Sequence, residues 1–281
     1  MEIKGLIRQS AAPVLADVDG VFSRAANRRG LPPYQLRAGT HSLLFALGGR
    51  WLQLGKQVLQ EVVDFARLTP ESNVVEIGCA CGIVAIPMKD YLTTGTYTGL
   101  DIVPDPIEWC QANLADERFR FFDLAVHHEI YNPKATNSSQ NVRFPIADNS
   151  VDVVFLISVF THLLPDEISH YLEEIARILK PTGRCLATML TKDNYVPNQS
   201  QLRLGYVYNP DCLCFSERDP TRAVAFSRSF IENIADKAGV PVERMVAGSW
   251  DGKSQQSFAH DMYVFKKPLR PIRREPTSKV A

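Results

Sequence analysis

Between residues 73 and 190 the chain alternates strand-sized apolar runs with stretches of helical periodicity, and this constrains the fold more than any other feature. The runs are NVVEIG (73–78), TYTGLD (96–101), RFRFFD (118–123), VDVVFLIS (151–158) and GRCLATML (183–190). They collect the β-branched and aromatic residues that suit a pleated backbone. VDVVFLIS is apolar almost throughout, as expected of a central strand covered on both faces. A helix is expected after Gly82 and another over about 105–115. A third is expected over 166–180, where Ile168, Leu172, Ile175 and Ile178 recur at helical spacing before the stop signals Lys180, Pro181 and Gly183. Strands alternating with helices build βαβ units and a mostly parallel sheet.

The flanks extend this frame. Residues 31–69 follow Pro32-Pro33 with Leu43, Leu44, Leu47, Trp51, Leu52, Leu59, Val62, Val63 and Phe65, mostly three or four apart. That predicts core-covering helices, so 1–69 is expected as a helical extension or lid, with 1–30 a helix and connector. The main domain is expected over 70–267. Residues 191–226 show little periodicity and many turn formers, and read as a long insertion. SFIENIADKAG (229–239) predicts a helix, with Ser229 and Glu232 at capping-box spacing and Gly239 at the end. Strands over about 241–247 and 259–266, joined by a turn with Asp251-Gly252, form an antiparallel pair. The Pro-rich, basic tail 268–281 is expected to be disordered.

Charge narrows the function. Lys plus Arg number 31 and Asp plus Glu number 31, so the 281-residue chain is formally neutral. A nucleic-acid binder usually carries a basic excess, and the dense cluster Arg270–Arg274 lies in the tail, so no nucleic-acid partner is expected. No apolar run reaches bilayer length and no secretory leader is evident, so no membrane partner and a cytoplasmic location are expected. There the six cysteines stay reduced. Cys79/Cys81 and Cys212/Cys214 are Cys-x-Cys pairs, not the Cys-x-x-Cys of structural zinc sites, and no metal is expected.

VVEIGCACG puts Glu76, Gly78 and Gly82 at the end of the first strand and into the next helix. Glycine there lets backbone turn sharply against a ligand, and free N–H groups at a helix start can hold an anion. Dinucleotide sites use Gly-x-Gly-x-x-Gly at this place. Here Ala80 holds the second position and the spacing is Gly-x-x-x-Gly, a poor nicotinamide fingerprint. Asp101 and Asp123 end the second and third strands, where carboxylates meet ribose and the neighbouring base.

With FPIADNSVDVVFLISVFTHL (144–163), these residues resemble class I S-adenosylmethionine-dependent methyltransferases over roughly residues 70–190. LPPYQLR (31–37), IEWC (107–110), YNP (131–133), SVFTHLLP (158–165), EIARILKPTGRC (174–185) and GSWDG (248–252) resemble a bacterial small-molecule and glycan-associated subgroup. The chain departs from it at Ala80, at Ile83 where Arg is frequent, and at His260-Asp261 where Gln-Asp is usual. The resemblance implies an α/β, Rossmann-like, seven-stranded mostly parallel sheet with a C-terminal antiparallel β-hairpin. It also implies S-adenosyl-L-methionine as cofactor. Its methionine part would lie on the loop of Glu76, Gly78, Cys79, Ala80 and Gly82, its ribose on Asp101 beside Ile102, and its adenine on Asp123 beside Leu124. Ser158 would complete the contacts from the fourth strand.

Methyl transfer needs the acceptor aligned with the S–CH3 bond and, for a hydroxyl, a base. His162, just past the fourth strand, is the candidate base. Arg37, Tyr131 and Thr161 are candidate acceptor contacts, with Tyr34 a further possibility. His127, His128 and His260 are secondary base candidates, and Trp109 and Trp250 are expected in the core. The irregular segment 124–143 replaces the helix expected between strands three and four and is expected to wall the acceptor pocket with 191–226. The leading expectation is O-methylation of a small molecule or saccharide. Rival readings are a catalytically silent binding or scaffold protein and a nicotinamide-dependent oxidoreductase.

Overall fold

The computed structural model describes residues 30–40, 48–200, 202–252 and 259–269. The expected N-terminal helix within 1–30, the basic cluster Arg270–Arg274 and nearly all of the expected disordered tail lie outside those residues. Ten strands are seen among the described residues. They are β1 (Val74–Ile77), β2 (Tyr97–Asp101), β3 (Phe119–Asp123), β4 (Val151–Leu156) and β5 (Leu179–Met189), then β6 (Tyr206–Asn209), β7 (Cys212–Cys214), β8 (Val224–Phe226), β9 (Val242–Val246) and β10 (Asp261–Lys266). Seven form one sheet in the order β3-β2-β1-β4-β5-β10-β9. The pairs β1–β2, β2–β3 and β4–β5 are parallel, while β10 runs antiparallel to β5 and β9. This is the Rossmann-like α/β sheet that the sequence implied. The chain divides into two compact units, residues 1–138 and 139–281.

In the first unit, helices α1 (Tyr34–Thr40) and α2 (Gly48–Ala66) precede β1, α3 (Ala85–Tyr91) follows it, and α4 (Pro104–Asn113) links β2 to β3. All four residues of β1 are buried. Helix α2 buries Trp51, Gly55, Val58, Leu59, Val62 and Ala66, a stripe of helical period. Gly55 is where this helix touches the main domain. A Cβ added there would stand 2.1 Å from the carbonyl oxygen of Ile83, in the segment after Gly82. Alanine is ordinarily the better helix former by up to about 1 kcal/mol. Here the clash is with backbone, so Gly55→Ala is expected to destabilise by about 2 kcal/mol, as overpacking does. A urea titration reads this directly, and a stabilised variant would refute the close approach.

In the second unit, α5 (Pro165–Ile178) buries Ile168, Leu172, Ile175 and Ile178 as its periodicity predicts. Glu167 begins it, its carboxylate accepting from the Leu164 N–H at 2.6 Å. β5 starts at Leu179, four residues before the expected Gly183, because Leu179 pairs with Val151 before the register slips and resumes at Val153↔Arg184. The 191–226 insertion is more regular than expected: β6, β7 and β8 make a separate antiparallel sheet. Helix α6 (Arg228–Ala238) is capped by Ser227, whose Oγ accepts from the Phe230 N–H at 3.2 Å, so the Ser229/Glu232 capping box does not form. Glu232 instead pairs with Arg228 at 2.8 Å. Gly239 ends the helix at φ 81°, as expected.

Candidate functional site

The turn leaving β1 is strongly bent. Gly78 and Gly82 both have φ 80° and Ala80 has φ 46°. A left-handed alanine costs roughly 1–2 kcal/mol, and the structure supplies the offset. The Ala80 N–H donates to Asp101 Oδ2 at 2.7 Å, while Oδ1 accepts from the N–H groups of Ile102 and Val103 at 2.7 and 2.9 Å. A carboxylate has about four acceptor positions. Three are taken by backbone, which leaves one. Asp101 therefore shapes the glycine turn, whereas the sequence suggested only a contact to ribose.

Glu76 is 3 % exposed and accepts a hydrogen bond from the Tyr97 hydroxyl. Burial drives its acidity to about 8; Tyr97 opposes the shift and the nearby Asp101 adds to it. Cys79, Cys81 and Cys110 are buried around the turn. Burial pushes the Cys81 thiol up to about 12 and raises those of Cys79 and Cys110 as well, so these thiols are packing groups that stay protonated. Helix α3 begins at Ala85, three residues past Gly82, and has seven residues. The helix start expected to meet the turn is thus displaced from it.

At the neighbouring strand end Asp123 is exposed and aligned with Asp101, and its Oδ1 accepts from the Ala125 N–H at 2.7 Å. Leu124 donates its N–H to the Asp101 carbonyl at 2.9 Å. The segment beyond has no α-helix and folds on itself through bridges Val126↔Asn137 and His128↔Asn132. Asn132 ties it to β2, donating from Nδ2 to the Ile102 carbonyl at 2.5 Å. This brings Tyr131 close enough to Asp101 that burial, and then the carboxylate's charge, push its hydroxyl's pKa up. His128 is buried and its Nδ1 accepts from the Ile130 N–H at 3.1 Å, a structural use, while His127 is exposed.

Arg37 is 1 % exposed. Its Nε donates to the Pro32 carbonyl at 2.9 Å, and its guanidinium lies 5.8 Å from the Tyr34 ring and 5.9 Å from the Trp51 ring. Its charge reaches the Cys81 thiol in the glycine turn. Trp109 is half-buried instead of in the core, whereas Trp250 is buried.

The second unit carries its own polar cluster at the end of β4. Ser158 adopts φ 58°, and its N–H donates to Thr188 Oγ1 at 2.8 Å. Its hydroxyl lies 3.2 Å from His260 Nδ1. A short 3-10 turn, Phe160–His162, follows. His162 Nδ1 stands 2.9 Å from the Thr221 carbonyl oxygen. A carbonyl only accepts, so Nδ1 carries the proton, and Nε2 is the basic nitrogen of the neutral ring. Burial, and then the proximity of His162, lower His260 to about 4, so it is neutral at physiological pH.

Asp261, one residue on, ties three neighbouring segments together, a task its place in the sequence does not disclose. It is fully buried and accepts from the N–H groups of Thr191 and Gly248 at 2.8 Å each and from Trp250 Nε1 at 2.9 Å. The sequence marks it only as an acid between His260 and an apolar strand. Among the described residues no group of three or more His, Cys, Asp and Glu side chains could hold a metal ion.

Taken alone, the first unit offers groups of the kind that would hold S-adenosylmethionine. It has a turn with positive φ at 78, 80 and 82, a buried acid with an acceptor position to spare, and an exposed acid on the adjoining strand.

The comparisons with known proteins agree with that fit. Residues 75–187 match the family described as "Methyltransferase domain". The tRNA N(3)-cytidine methyltransferase METTL2 of Gallus gallus is 24% identical over 190 residues, which is 66% of this chain and 47% of that protein. The fatty-acid O-methyltransferase of Mycolicibacterium smegmatis is 30% identical over 118 residues, 41% of this chain and 36% of that protein. The chain thus spans about half the length, or less, of these relatives. A S-adenosylmethionine-dependent methyltransferase from Mesorhizobium loti has the same fold with a TM-score of 0.52 at 10% identity, over 75% of this chain and 96% of that one. Over residues 75–187 the chain is thus similar to the methyltransferase-domain family, and it shares the fold of S-adenosylmethionine-dependent methyltransferases.

Proposed function

We propose that the chain O-methylates a small neutral molecule carrying a hydroxyl, such as a saccharide, with S-adenosylmethionine as methyl donor and His162 as general base. The cofactor supplies an electrophilic methyl on a sulfonium and departs as a thioether. In this reading Glu76, Gly78, Cys79, Ala80 and Gly82 bind its amino-acid part, Asp101 and Ile102 its ribose, and Asp123 and Leu124 its adenine. Ser158 contributes from the end of β4, and Arg37, Tyr131 and Thr161 bear on the acceptor. Residues 1–69 serve as a lid on a catalytic domain of 70–267, with 191–226 inserted for recognition. A cytoplasmic location accords with six unpaired thiols, and no described helix is long and apolar enough to cross a membrane.

The observation that carries the reading is the 2.9 Å contact of His162 Nδ1 with the Thr221 carbonyl. In this reading it orients the ring and makes Nε2 the nitrogen that takes the acceptor proton. His162→Gln is expected to lower kcat by about 100-fold with affinity for S-adenosylhomocysteine unchanged. The plot of kcat against pH should lose its acid limb. An unaltered kcat would remove His162 from the chemistry.

A second reading follows from the tRNA relative: the acceptor is a cytidine base in RNA. The neutral charge balance weighs against it, since a phosphate backbone calls for a cationic surface. Incubation of the protein with total tRNA and tritiated cofactor separates the two. Incorporation into tRNA would favour the second.

A further inference from the structure

The Trp51 indole N–H is buried and has no acceptor among the protein groups around it. A buried donor is normally met by protein, by an ordered water or by a ligand. Its surroundings favour the third. Trp51 lies on α2 one helical turn before Gly55, on the same face. At Gly55 the helix comes so near the Ile83 carbonyl that a Cβ would stand 2.1 Å from its oxygen. Trp51 is thus held about one turn of helix from the segment that follows Gly82.

Arg37 reaches the same place from α1. Its guanidinium lies 5.9 Å from the Trp51 ring, and both side chains are fully buried. Its positive charge acts on the Cys81 thiol, within the glycine turn. The two groups call for one kind of partner. An indole N–H only donates, and a guanidinium only donates and is charged. Water would satisfy the N–H. A carboxylate would satisfy it and offset the charge as well, through the stronger, charge-assisted bonds. The strand ends on the same turn carry acids, Glu76 and Asp101. A ligand with an ammonium and a carboxylate on one carbon matches that division, its ammonium toward Glu76 and its carboxylate toward Arg37 and Trp51. The amino-acid end of S-adenosylmethionine is such a group.

We propose that Trp51 and Arg37 form the subsite for the cofactor's carboxylate, the Trp51 N–H donating to it and the Arg37 guanidinium supplying the countercharge. The inference rests on the S-adenosylmethionine reading above. It adds Trp51, which the sequence suggested only as part of a core-covering helix. Arg37 then bears on the acceptor through the cofactor it fixes, since the amino-acid end sets where the methyl group points.

Calorimetric titrations with S-adenosylmethionine and with decarboxylated S-adenosylmethionine test this, because the two ligands differ by the carboxylate alone. Wild type is expected to prefer the first by at least about 100-fold. Trp51→Phe keeps an aromatic ring beside Arg37 and removes the N–H. It is expected to weaken S-adenosylmethionine about tenfold and to leave the decarboxylated ligand unchanged. Arg37→Gln is expected to narrow the preference at least as much, and its preference decides the matter should Trp51→Phe fail to fold. Equal affinity of wild type for the two ligands would overturn the proposal. So would a Trp51→Phe protein that holds S-adenosylmethionine as tightly as wild type, the result if an internal water serves the N–H. Equal loss of both ligands in that variant, the result if the indole acts through packing alone, overturns it too, as does an unchanged preference in Arg37→Gln. Wild type that binds neither ligand overturns the cofactor reading beneath the proposal, whereas wild type that binds both alike leaves that reading standing.

Discussion

Asp101→Asn is expected to lower affinity for S-adenosylhomocysteine by about 1,000-fold, although the side chain keeps its size and shape. The reason is the direction of its hydrogen bonds. Both carboxylate oxygens accept, Oδ2 from Ala80 and Oδ1 from Ile102 and Val103. An amide can accept on one side only. Its NH2 then meets either the Ala80 N–H or the Ile102 and Val103 pair, donor against donor. If the Ala80 bond is lost, nothing offsets that residue's left-handed conformation, and the turn between Gly78 and Gly82 relaxes. If the other pair is lost, the β2 end moves, and the spare acceptor position with it. Calorimetric titration of the variant measures the loss. Binding within a few-fold of wild type would mean that Asp101 neither shapes the turn nor meets the ligand.

Glu76→Gln is expected to stabilise the protein without cofactor, and to do so increasingly as pH rises. The folded acidity of Glu76 is about 8, above its ordinary 4.5. Folded protein therefore keeps a proton that the unfolded chain gives up, and stability falls as pH climbs from about 4.5 to about 8, then levels off. Glutamine mimics the neutral acid and accepts from Tyr97 without this penalty. The gain over wild type should be near zero at pH 4.5 and on the order of 4 kcal/mol by pH 8. Denaturant titrations at the two pH values give it. The same variant should bind S-adenosylmethionine more weakly, because a cofactor bearing sulfonium and ammonium charges favours an ionised Glu76. A variant equally stable relative to wild type at both pH values would mean that Glu76 is already ionised in the folded protein.

The main sheet was legible because its strands are buried and β-branched. β1, β2, β3 and β4 fall within a residue or two of their apolar runs. The insertion was not, because β6, β7 and β8 have only three or four residues each, too few for alternation to stand out. A signal was there in hindsight: Cys212 and Cys214 point the same way and are both buried, with Asn209-Pro210-Asp211 as the turn before them. In the site, the acids at strand ends could be read from position alone. What each carboxylate holds could not, since Asp101 shapes Ala80 from 21 residues away and Asp261 gathers Thr191 from 70. Arg37 was equally opaque. A cation flanked by aromatic residues in a helix reads as surface, and only packing between Tyr34 and Trp51 buries it.

The central claim is that the turn from Glu76 to Gly82, with Asp101, is a working cofactor site. Calorimetric titration of the wild-type chain with S-adenosylhomocysteine tests it most directly. Saturable binding at one site per chain, lost in Asp101→Asn and kept in His162→Gln, is the predicted result. A wild-type chain that takes up no S-adenosylhomocysteine would contradict it.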